Sequence, residues 1–121
     1  MTVMEAILSL EERRAGAVSD EEKLRWLSEL DGRIYCEVRG ARVGREEMPR
    51  YDVGTPPDTA LLVGAPYDAL YPTYLEAQAD LALGEITRYN NEIAVVSALL
   101  DAFAAHCHRS HLFAPRALRY F

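Results

Sequence analysis

The feature that most constrains this chain is a set of apolar residues between Tyr71 and Cys107 that recurs every three or four positions. Tyr71, Tyr74, Leu75, Gln78, Leu81, Ala82, Ile86 and Tyr89 trace one broad stripe, and Ile93, Val96, Leu100, Phe103 and Cys107 trace a second. The period is that of a helix; a strand would scatter these residues over both its faces. Between the stripes stands Tyr89-Asn90-Asn91. Asparagine tolerates the left-handed conformation that ends a helix, and its side-chain oxygen caps the next one. The spacing therefore predicts a long antiparallel helical hairpin, about 68–88 and 91–109. A single bent helix through residue 109 is the rival, because Asn inside a helix costs only a few tenths of a kcal/mol. Asp68 is placed to cap the first helix, and Pro72 has to fall within or just after its first turn.

Two further helices precede the hairpin. In TVMEAILSLEERRAG, Val3, Ile7, Leu8 and Leu10 have near-helical spacing and Gly16 ends the segment. Ser19 stands three residues before Glu22, a capping-box pattern with acids in the first turn. Leu24, Leu27, Leu30, Ile34 and Val38 then follow in steps of three and four, which carries the helix across Asp31-Gly32 to Gly40. Residues 41–66 hold four prolines and three glycines without a helical period. This stretch is expected to be an extended loop or arm, or a hairpin with 41–43 and 61–63 as candidate strands, and its length makes it a candidate contact surface. The fold class that follows is all-α: a small bundle of about four helices, as a single domain spanning 1–121, with a C-terminal tail at 112–121.

With 50% hydrophobic and 26% charged residues, the chain has the composition of a globular protein rather than a disordered one. No apolar run reaches the roughly 20 residues of a membrane span, and the N-terminus lacks the order of a signal peptide, so the expected location is the cytoplasm. A net charge of −6 argues against a nucleic-acid binder, which needs a basic face to neutralise phosphates. Lys23 is the only lysine among 13 basic residues. Arginine forks suit carboxylate pairing at interfaces, and biased base composition would give the same usage. Cys36 and Cys107 form no CxxC pair and read as buried thiols.

Candidate chemistry is sparse. Cys107, His108 and His111, in HCHRSH, have spacings that allow one metal to be shared on a continued helix. A closed site lacks a fourth ligand, and histidines at a helix C-terminus also complement its dipole, so no metal or other cofactor is assigned. The chain lacks GxSxG, HExxH, P-loop and GxGxxG patterns, and no nucleophile, base and orienting group stand out together, so it is not expected to be an enzyme. The aromatic residues point elsewhere. Tyr67, Tyr71, Tyr74 and Tyr89 lie close to one helical stripe, and the tail brings Phe113, Arg116, Arg119, Tyr120 and Phe121. Tyrosine and arginine dominate protein interfaces, which makes these nine the candidate interface residues, although each tyrosine also reads as half-buried core with a wet hydroxyl.

Taken in order, RWLSELDG, PYDALY, YLEAQ and GEITRYNN resemble a family of small helical proteins encoded among the head genes of long-tailed, siphovirus-like bacteriophages and prophages: the head-tail connectors or adaptors. The resemblance covers about residues 19–111, and Pro72 and AHCHRSH depart from its pattern. It implies a structural role in virion assembly, with no active-site residues to carry over. Subunits of this kind form a homo-oligomeric ring beneath the portal protein, twelvefold to match it, and present a platform to the next tail or stopper component. DNA passes through the channel without sequence-specific binding, and the mature location is the virion neck. The competing reading is a small helical protein-binding or regulatory module of a bacterial host.

Overall fold

A computed structural model describes residues 1–13, 16, 18–39 and 49–110, with only the backbone described for 37–39 and 108–110. Four α-helices make up most of it: α1 (Val3–Arg13), α2 (Asp20–Arg39), α3 (Leu70–Ala82) and α4 (Ile86–Ser110), with a 3-10 turn at Tyr67–Ala69 leading into α3. The all-α bundle read from the periodicity is the fold observed.

Each helix start has a local cause. Thr2 and Glu5 form a reciprocal capping box: Glu5 N–H donates to Thr2 Oγ1 at 3.2 Å, and Thr2 N–H donates to Glu5 Oε1 at 2.8 Å. Ser19 caps α2 as its sequence predicts, its Oγ accepting from Glu22 N–H at 3.3 Å. The Glu22 carboxylate binds Arg25, at 2.7 Å from Nη2. Helix α2 then runs unbroken through Asp31-Gly32. Pro72 occupies the first turn of α3, where its missing N–H has no intrahelical partner to lose. Asp68 does not cap this helix; its carboxylate pairs with the amino terminus of Met1 at 3.3 Å.

The hairpin corner lies elsewhere than predicted. Helix α3 stops at Ala82, with Leu83 as C-cap and Gly84 at φ +80°, a conformation a side chain would strain. Glu85 N–H donates to the Asp80 carbonyl at 2.8 Å and Gly84 N–H to the Leu81 carbonyl at 3.1 Å, which is the Schellman closure. Helix α4 begins at Ile86 and passes straight through Asn90 and Asn91, both exposed. The helices are therefore 70–82 and 86–110 instead of 68–88 and 91–109, and the continuous bent helix is excluded as well. A glycine free to adopt positive φ outcompetes two asparagines whose helical cost is small.

Helix α3 is the hub. It packs against α1, α2 and α4, which buries Leu70, Tyr71, Tyr74, Leu75, Ala77 and Ala79 around most of its circumference. The first part of its broad stripe, through Leu75, is thus consumed inside the chain, whereas Leu81, Ala82 and Ile86 further along it are exposed. Helix α4 packs chiefly on α3 and the 3-10 turn, and among its described side chains Val96, Phe103 and Cys107 are buried. Residues 49–66 lie along the bundle: Tyr51, Leu61 and Val63 are core residues, and an isolated bridge joins Thr2 to Ala60. No strand forms at 61–63, while 41–43 and Gly40 lie outside the described residues.

Candidate functional site

Of the four tyrosines proposed as contacts, two belong to the core. Tyr71 is wholly buried and Tyr74 is 4% exposed, so neither reaches a partner. The reason is the central position of α3, which turns both faces of its aromatic stripe inward. Tyr67 is half-buried, its ring edge-on to Phe103 at 5.9 Å and beside His106 at 5.6 Å. Tyr89 is half-buried near the start of α4. Phe113, Arg116, Arg119, Tyr120 and Phe121 lie outside the described residues, as does His111.

The most elaborate polar arrangement centres on Asp31, a residue read from sequence only as a weak point in α2. Its carboxylate is fully buried. Tyr71 Oη–H donates to Oδ1 at 2.6 Å, Tyr51 Oη–H donates to Oδ2 at 2.6 Å, and Leu62 N–H donates to Oδ2 at 3.1 Å. Val63 N–H in turn donates to Tyr71 Oη at 2.8 Å. One carboxylate thereby joins α2, α3 and both ends of the 51–63 loop. Burial raises the pKa of Asp31, and the hydrogen bonds from Tyr51, Tyr71 and Leu62 offset this only in part. Burial and the neighbouring Asp31 charge push both tyrosine hydroxyls upward, so both stay protonated donors. Enclosed in this way, the cluster holds the loop to the helices. Its sequence signal was an acid at the buried register of α2, four residues after Leu27 and three before Ile34.

Lys23 is a second buried polar anchor, 1% exposed, with Nζ 2.8 Å from Glu11 Oε2 and 3.4 Å from Asp20 Oδ1. The hydrogen bond from Lys23 lowers the pKa of Glu11, assisted by Gly16 N–H at 3.0 Å. The pair ties the end of α1 to the start of α2. As the chain's single lysine, Lys23 was visible in sequence, though its burial was not.

The proposed metal ligands are not brought together as a described group. Cys107 is buried, and burial raises its thiol pKa, which disfavours the thiolate a metal requires. Among the described residues no three His, Cys, Asp or Glu side chains converge in a metal-binding geometry. Neither cysteine is in a disulfide, and Cys36 is exposed, contrary to the expectation of burial, because it falls off the Leu30-Ile34 face of α2.

What the molecule does present is unconsumed helical surface. On α4, Asn91, Ala94, Val95, Ala98, Ala102 and Ala105 are all exposed, on a side turned away from α3. At the α3–α4 corner, Leu81, Leu83 and Ile86 are 42%, 60% and 52% exposed. A groove of about 590 Å³ also runs between α2 and the 50–53 loop, lined by Leu24, Arg25, Glu29, Arg50 and Val53. Among the described residues no helix is long and apolar enough to cross a membrane. Comparison with family models, curated proteins and solved structures returned no match.

Proposed function

We propose that the chain is a head-tail connector subunit, which oligomerises beneath a phage portal and joins head to tail. The sequence resemblance motivates this reading, and one structural observation carries it: among the described residues the 25-residue α4 is packed along one side only. Its small outer residues allow another helix to approach closely, as side-by-side packing in a ring requires. The net charge of −6 suits a channel through which DNA passes without adhering. Mass photometry of the purified protein with and without its cognate portal tests the proposal. A ring-sized species, alone or on the portal, is the expected result; monomers in both conditions at high concentration would sink it.

The groove between α2 and the 50–53 loop favours a second reading, a small protein-binding module, since its apolar walls flanked by Arg25, Arg50 and Glu29 match a peptide-sized partner. Such a module would form a stoichiometric complex with one partner and no ring.

A further inference from the structure

The exposed α3–α4 corner concentrates three large aliphatic side chains within six residues, Leu81, Leu83 and Ile86. Ile86 stands one to two turns before Tyr89 and Ile93 on the inward stripe of α4, but α3 has already ended at Ala82 and leaves it uncovered. Single exposed apolar residues are ordinary, whereas a contiguous group marks a contact. Glu85 stands exposed between Leu83 and Ile86 and places an acid at the corner itself, with Arg88 one turn further along α4.

Residues 111–121, HLFAPRALRYF, have the complementary character. They include Leu112, Phe113, Leu118, Tyr120 and Phe121, two arginines and no acid, so the other 110 residues carry 11 bases and 19 acids, a net −8. This segment leaves α4 at Ser110, the end opposite the corner. Twenty-five helical residues span about 37 Å, and 11 residues reach about 36–40 Å only when fully extended. On its own corner the segment could place no more than its last residue, leaving Leu112 and Phe113 far away. A second copy has no such restriction.

We infer that the α3–α4 corner is the docking site for residues 111–121 of a second copy of this chain, with Leu81, Leu83 and Ile86 receiving its apolar residues and Glu85 facing Arg116 or Arg119. The contact is head-to-tail, so it propagates into a ring or a filament instead of stopping at a symmetric dimer. It deepens the connector reading by naming the surfaces through which subunits join.

The test uses two full-length variants, one altered at the corner (Leu83→Asp with Ile86→Asp) and one in the tail (Arg116→Glu, Arg119→Glu and Phe121→Ser). The parent should self-associate in sedimentation equilibrium, and each variant alone should associate at least tenfold more weakly. Mixed, they retain one intact corner and one intact tail, and should form a one-to-one dimer that grows no further. Circular dichroism and thermal melts matching the parent establish that each variant is folded; a misfolded corner variant is replaced by Leu83→Ser with Ile86→Ser. Parent-like association of either variant alone would overturn the inference, as would a mixture that stays monomeric or a parent that does not self-associate. Because the portal experiment is independent, a parent that loads onto the portal while failing here removes the tail-on-corner contact and leaves the connector reading in place.

Discussion

At the scale of single residues, the Asp31 cluster sets an order of costs. Tyr71 Oη both donates to Asp31 Oδ1 and accepts from Val63 N–H, whereas Tyr51 Oη shares Oδ2 with Leu62 N–H. Tyr71→Phe should therefore cost about 2–3 kcal/mol and Tyr51→Phe about 1 kcal/mol, since orphaned buried groups carry most of the penalty. Chemical denaturation at neutral pH measures both, and equal losses would contradict this account. Two carboxylates should also respond to pH in opposite senses. Glu11 has a lowered pKa, so its stabilisation is present above its ordinary value of 4.5 and is lost as pH falls through the lowered one. The stability gap between parent and Glu11→Gln should close on acidification. Asp31 has a raised pKa, so its contribution is fully present below its ordinary 3.8 and declines as pH rises through the raised value. The gap between parent and Asp31→Asn should be widest in acid and narrow toward neutrality. Denaturation midpoints across a pH series report both slopes.

At the scale of elements, the corner at Gly84 separates a backbone requirement from a propensity. A Cβ at Gly84 would meet nothing within 4 Å, so the cost of Gly84→Ala is that of the left-handed conformation alone, about 1–2 kcal/mol. Gly84→Asn should cost less, because Asn adopts that conformation more readily. Asn90→Ala and Asn91→Ala, in exposed positions within α4, should each raise stability by about 0.5 kcal/mol. Had Tyr89-Asn90-Asn91 been the corner, both changes would destabilise instead, so thermal melts of the four variants decide between the two placements. The sequence was legible on α1 and α2, where Ser19, Glu22 and the leucine steps each specify local structure. It misled at the corner because glycine and asparagine compete for one role, and local pattern cannot rank them. Thr2-Val3-Met4-Glu5 is a capping box that the pattern contained and that helical spacing alone overlooked.

At the scale of the whole molecule, the packing of α3 revises what the surplus apolar surface means. The first part of its stripe is satisfied by three neighbouring helices, and among the described residues the outer side of α4, the corner and the groove beside α2 stay uncovered. Replacing Val95 and Ala98 by Glu should leave the melting temperature nearly unchanged, as both are exposed. On the connector proposal the same change should abolish ring-sized species on the portal, which mass photometry can read directly. Retention of the ring would remove the outer side of α4 from the interface.

Some properties of this protein follow from the sequence by itself. Four helices, the extents of α1 and α2, two of the helix caps and the first-turn position of Pro72 arise from interactions within a few residues, which local pattern encodes. Other properties required the tertiary structure. That Asp31, Lys23 and Tyr71 are buried depends on what α1, α2, α3 and the 51–63 loop place around them, and these contacts join residues up to 40 positions apart. Which tyrosines face the core was decided the same way: an amphipathic stripe states that a face will be covered, and only the packed neighbours determine whether the covering comes from the chain itself or from another molecule.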